Sequence, residues 1–345
     1  MDSVPLRIDA SIQSVDDLGT LSLIAAAAER AGFDGIWASE VNHDPFLQLT
    51  LAATATQQVA LGTAIALSFT RSPMSLAYTC WDLAALSKGR FILGLGTQVK
   101  AHNERRFSVP WGPPIPRLRE VIDSLRAIWH SWATGEKLNY RGQHYTFTLM
   151  TPFFTPPRHT YPIPVYIAGV NTGLCRLAGE CCDGFHVHPL HSTDYLDRVV
   201  LPAIAEGARS AGRERSDITV CGSVFVVTGF DDAQTALLRE LVRQQISFYA
   251  STPSYRVIFE THGWQDTAVE LSALAARKQW GSMPSLITDE MIGAFAVVAP
   301  PDEVGRQALA RYKGRLDRIT FYLPYMPGQF DPLWESTLST FAAQT

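Results

Sequence analysis

Eight times along this chain a short β-type run gives way to a segment of helical periodicity, and that alternation restricts the fold more than any other feature. Leu6–Ala10 leads into an Ala/Leu-rich helix from Leu18 to Ala31, closed by Gly32 in the position where helices commonly end. Gly35–Glu40 is followed by a helix that Pro45 opens and that runs through Gln57. Val59–Leu67 precedes a helix begun by Ser72-Pro73 and ending near Leu86, and Phe91–Leu95 precedes the amphipathic helix Pro116–Trp132. Pro164–Gly169, Gly184–His188 and Ile218–Thr228 continue the series, and Arg318–Leu323 closes it after a helix over Pro301–Tyr312. Two stretches stand outside it: a hairpin at about 138–149, and a largely helical insertion at about 253–295 with Trp264 and Trp280 as packing anchors. Eight such units in 345 residues predict an α/β fold, a (β/α)8 TIM barrel with insertions forming one domain.

The rival is an open doubly wound sheet. It would carry a G-x-G-x-x-G turn between the first strand and the first helix. Asp9 to Leu18 contains no glycine, and Gly94-Leu95-Gly96 follows the fourth strand with Val99 in the third glycine position. Those glycines are instead expected to keep side chains clear of the barrel mouth.

A formal net charge of -4 excludes the basic footprint of a nucleic-acid binder. No apolar run approaches the 18 or so residues of a membrane span, and the N-terminal segment lacks a basic-then-apolar layout. Five cysteines without a C-x-x-C pair are expected as reduced, mostly buried thiols. A cytoplasmic protein acting on a small molecule is the simplest expectation.

In a barrel, function belongs to the C-terminal strand ends. The polar, irregular segments lie there: Glu40–Asp44, Gly96–Lys100, Gly169–Gly173 and His186–His188. The combination of LGTAIALSFTRSP, GRFILGLGTQ and PVYIAGVNTG…LAGECCDGFHVHP resembles the luciferase-like oxidoreductases. Within them it looks most similar to the branch that uses coenzyme F420, a deazaflavin, with the FMN-dependent monooxygenases as runner-up. The resemblance implies a homodimer and a hydride passed between F420 and a small organic substrate. It places a bulge, often with a cis peptide, at Ala64-Ile65 against the ring, although an ordinary buried strand remains open there. It places Gly96, Thr97 and Gln98 along the cofactor with Asn103 as a further contact, and the phosphate at Gly169, Val170, Asn171, Thr172 and Gly173. That last assignment also has an independent physical basis, because helix N-termini attract anions; a plain strand-to-helix turn is the alternative.

Relatives carry an Asp-His pair after the second strand; here Glu40 ends that strand and His43 follows. His43 is the candidate acid/base, oriented by Glu40, because imidazole titrates near working pH. Val99 and Lys100 stand where many relatives have a Glu, which leaves reaction direction open.

His186 and His188 are two apart on one strand and share a face. Substrate contact, hydrogen-bonded core and a metal-dependent hydrolase site are all open readings; no further ligand cluster follows, so no metal is expected. Cys181-Cys182 is expected to pack, Arg105-Arg106 to meet either solvent or an acidic cofactor tail, and the segment from Trp111 to Pro116 to form a lid.

Overall fold

The computed structural model describes residues 5–12 and 17–344. Eight parallel strands close into a barrel: β1 Arg7–Ser11, β2 Gly35–Ala38, β3 Ala60–Thr63, β4 Phe91–Gly96, β5 Val165–Gly169, β6 Gly184–Val187, β7 Thr219–Val227 and β8 Arg318–Phe321. Each pairs with the next, and β8 returns to β1 with Arg7 opposite Arg318 and Asp9 opposite Thr320. The (β/α)8 barrel expected from the alternation is therefore the fold.

Local chemistry explains the joints. The helix Leu21–Ala31 stops because Gly32 adopts φ 101°, and its N–H bonds back to the Ala28 and Glu29 carbonyls. Pro45 and Pro73 open their helices with Asp44 and Ser72 as N-caps, each accepting from a backbone N–H two residues on.

Period-two alternation then sorts the strand residues. Ile8, Phe91, Leu93, Ile167, Phe185 and Phe321 point outward into the core between barrel and helices. Trp37, Ile92, Tyr166 and Cys221 form a separate apolar cluster inside the barrel. Large inward side chains need small neighbours: a Cβ on Gly62 would run into the Trp37 ring, and one on Gly94 into the Thr63 carbonyl, with His186 Nε2 at 2.9 Å.

Two decorations interrupt the alternation of strand and helix. Tyr140–Arg141 and Thr146–Phe147 pair as an antiparallel hairpin. The segment 253–295 is a series of short helices, and the strand Ala296–Val298 after it pairs along β7, an element the sequence reading did not expect. Trp264 anchors the insertion between Phe259 and Phe295, and His262 stacks on it at 4.4 Å. His262 Nε2 also meets the buried Ser192 hydroxyl at 2.7 Å, tying the insertion to the loop after β6. Trp280 is no buried anchor: it is 49% exposed and only flanks Phe248. The five cysteines are free, with Cys181 half-buried and the others buried. Among the described residues no helix is long and apolar enough to cross a membrane.

Candidate active site

The C-terminal ends of the strands surround a cavity of about 650 Å³, deep enough to reach the barrel interior and open at the mouth. Its floor is polar, and the charges on it are paired with each other. Asp9 accepts a bidentate bond from Arg318, 2.8 Å from Nε and 2.6 Å from Nη2, and a third from the Trp37 indole N–H at 2.7 Å. Burial alone would depress the Arg318 guanidinium, but attraction to Asp9 and the hydrogen bonds it donates to that carboxylate hold it above its ordinary range. His186 stands beside them, edge-on to Trp37 at 4.8 Å, with its Nε2 buried and without a partner. Burial, and secondarily the Arg318 charge, push its pKa down to about 3, so it is a neutral imidazole at working pH.

On one side, β3 breaks after Thr63. The Ala64-Ile65 bond is cis, where the family resemblance placed it, and the chain resumes as the short strand Ala66–Leu67 beside β4. The loop after β2 holds this bulge: the Ser39 hydroxyl donates to the Ala64 carbonyl at 2.6 Å, and the Glu40 N–H to that of Ile65 at 3.1 Å. Glu40 itself is committed twice, accepting from the Leu67 N–H at 2.8 Å and from Arg71 at 2.7 Å. Arg71 also bridges to Asp44. Glu40 therefore does not orient His43. His43 is half-buried in the loop and does not line the cavity, whereas Glu40 and Val41 do.

Gly96, Thr97, Gln98, Val99 and Lys100 form the next wall. The space beside Gly96 belongs to Ile65, whose Cδ1 would lie 2.6 Å from an added Cβ, and that beside Gly94 to Thr63 and His186. These glycines make room for the protein's own bulge and floor, which corrects the expectation that they keep the barrel mouth clear. Asn103 is likewise spent: its amide donates to the Thr97 and Val99 carbonyls at 2.9 and 3.2 Å, and the residue is buried behind the loop rather than exposed in the cavity. It pins the wall instead of touching a ligand. Trp111 and Pro114, from the segment that follows this wall, also line the cavity.

Next to this wall, because β5 pairs with β4, lies the turn from β5 into the helix Thr172–Cys181. Gly169, Val170, Asn171 and Leu174 line the cavity; Thr172 and Gly173 sit just behind them. Asn171 is the N-cap but makes no side-chain cap bond. Among the described residues the Thr172 and Gly173 N–H groups have no acceptor, so the helix presents unpaired donors and its dipole beside the cavity.

The last wall was legible in the sequence only at His188. His188 lines it with Tyr249 from the helix Asp232–Ala250, Tyr255 from the insertion and Tyr322 just past β8. The His188 ring lies 4.6 Å from Tyr249 and 4.5 Å from Tyr255. Its Nδ1 accepts from the Leu190 N–H at 3.1 Å, which puts the neutral ring's proton on Nε2. Burial, and secondarily nearby His191, lower its pKa to about 3. His186 and His188 thus share the inward face as their spacing implied, but among the described residues no group of three His, Cys, Asp or Glu side chains converges as a metal site.

The model of the luciferase-like monooxygenase family matches residues 4–318. The chain belongs to that family. An uncharacterized protein of Mycobacterium tuberculosis is 47% identical over 315 residues, covering 91% of this chain and 92% of that one. An F420-dependent glucose-6-phosphate dehydrogenase of Intrasporangium calvum is 32% identical over 225 residues, 59% of this chain and 65% of that one. Among solved structures, the coenzyme F420 dependent tetrahydromethanopterin reductase of Methanopyrus kandleri superposes with TM-score 0.76 at 23% identity, covering 98% and 97% of the two chains. Family membership and the barrel agree with the resemblance read from the strand-end motifs.

Proposed function

We propose that this chain is an F420-dependent oxidoreductase passing a hydride between the deazaflavin and a small organic substrate. The observation that carries the reading is the helix end at Asn171–Gly173, with unpaired donors, opening beside a deep cavity walled by Ile65, Leu67, Trp111 and Leu174. A flat apolar ring bearing a phosphate suits that combination of donors and walls. The F420-dependent relative supports the choice of cofactor.

When bound, the deazaflavin supplies hydride transfer, and the protein's contribution is binding, orientation and water exclusion. Thr172 and Gly173 would hold the phosphate through their N–H groups. Ala64, Ile65 and Gly96–Gln98 would bound the ring, kept in place by Ser39, Glu40 and Asn103 from behind. Trp111 and Pro114 limit the access of water. Glu40 acts here as a positioning residue, and His43 has no contact with the cavity through which to act as acid or base.

The second reading, an FMN-dependent monooxygenase, is favoured by the family's description and by the same phosphate-ready helix end. Titration of the purified protein with F420 and with FMN, followed by fluorescence quenching, separates the two. Saturable quenching of F420, at least about tenfold tighter than FMN, is expected. The reverse order supports the monooxygenase, and quenching of neither overturns both.

A further inference from the structure

The cavity-lining charges are unusually well accounted for. Asp9 and Arg318 neutralise one another, and Glu40 is paired with Arg71. Both histidines are neutral, as above. Lys100, 64% exposed at the rim and 3.9 Å from Glu104, is the remaining charged lining residue among those described. Away from the helix end that would meet a phosphate, the deep part of the cavity offers a charged substrate group no unpaired counter-ion.

What that part does offer is oxygen recognition. The Tyr249 and Tyr322 hydroxyls lie 2.8 Å apart, so one hydrogen closes their mutual bond and the other remains for a third partner. Burial, reinforced by Tyr322, raises the Tyr249 phenol well above its ordinary range. Burial also raises Tyr322, and the bond with Tyr249 opposes that rise; whichever hydroxyl donates within the pair, the hydrogen of the other is left for a third partner. On the same wall His188 carries its proton on Nε2, because Nδ1 is occupied by the Leu190 N–H. Tyr255 packs against the His188 ring, and the Tyr322 ring lies 4.9 Å from Phe225 in an edge contact, so both polar donors are set in an aromatic frame.

We infer that His188, Tyr249 and Tyr322 form the substrate subsite, and that it takes an uncharged carbonyl or hydroxyl compound with an apolar body, excluding sugar phosphates and carboxylates. The inference rests on the F420 reading and deepens it. It contrasts with the phosphorylated sugar named for the 32%-identical relative, whose substrate needs a cationic partner that the described residues of this wall do not supply.

The test uses the protein already loaded with F420, whose binding is established first by titration. Failure at that stage sinks the proposed function rather than the subsite. Cyclohexanone, cyclohexanol, benzoate and glucose 6-phosphate are then titrated while the fluorescence of bound F420 and the thermal midpoint are followed. The neutral pair is expected to perturb both signals saturably and the anions to do neither. Tyr322→Phe and Tyr249→Phe should each weaken the neutral ligands about 2- to 12-fold, the value of one lost hydrogen bond, while leaving F420 affinity within about twofold. His188→Phe is the second probe, with the same expectation. Preferential binding of either anion overturns the inference, as does neutral-ligand binding that all three variants leave unchanged.

Discussion

Replacing Arg318 by Met removes the cation from a pair whose side chains are 4% and 0% exposed. Asp9 would keep the Trp37 indole N–H at 2.7 Å and lose both guanidinium bonds. Breaking a buried pair in this way costs about 3–5 kcal/mol, because an uncompensated charge stays in the interior. Asp9→Leu should cost a similar amount by stranding the guanidinium. The double variant Asp9→Leu/Arg318→Met leaves no charge and should lie within about 1–2 kcal/mol of the parent, a coupling well above the few tenths expected of independent sites. Urea unfolding followed by tryptophan fluorescence and circular dichroism reads these differences as midpoint shifts at constant slope. Single variants costing less than about 1 kcal/mol, or a double variant costing the sum of the two, would refute the claim that the cavity floor is an internally neutralised pair.

Burial holds His186 and His188 near 3 and His191 near 4, against 6.5 for a free imidazole. The unfolded chain therefore takes up protons first, and native stability, complete above about pH 6.5, declines as the pH falls toward 4. At pH 5 each fully buried ring contributes a loss of roughly 1–2 kcal/mol, less for His188, which keeps surface in the cavity. Thermal midpoints between pH 7 and 5 should show this slope and His186→Gln should flatten it; identical slopes in the two proteins would contradict the assignment. Asn103→Ala removes two hydrogen bonds behind Thr97 and Val99 and should weaken F420 binding more than it lowers the thermal midpoint, by about tenfold in a fluorescence titration. Gly94→Ala places a methyl against the Thr63 carbonyl and His186, and a destabilisation of about 1–3 kcal/mol is expected from urea midpoints; parent-like stability would show that the floor is loosely packed.

The fold was legible because a barrel strand declares itself locally. Outward Ile8, Phe91, Leu93 and Phe185 are simply apolar, and Pro45, Pro73 and Gly32 punctuate the helices. The strand-end rule then located the cavity, and the Ala64-Ile65, Gly96–Gln98 and Gly169–Asn171 walls with it. Individual roles were less legible because they depend on partners distant in sequence. Glu40 reads as an orienting carboxylate until Arg71 and the Leu67 N–H claim it, and Asn103 as a ligand contact until the Thr97 and Val99 carbonyls do. Asp9 and Arg318 are 309 residues apart, and no local pattern links them. Tyr249 and Tyr322 come together only when the helix after β7 packs beside β8; an isolated tyrosine on a helix reads as core. A cue was present for Tyr322, which sits two residues beyond Thr320 on an inward-facing register.

The most direct test of the account is a crystal structure of the protein with F420 bound. The account predicts the cofactor phosphate within hydrogen-bond distance of the Thr172 and Gly173 N–H groups, and the deazaflavin ring bounded by Ala64-Ile65 and Gly96–Gln98, facing the wall of His188, Tyr249 and Tyr322. A phosphate bound elsewhere, or a ring outside the barrel mouth, would contradict it.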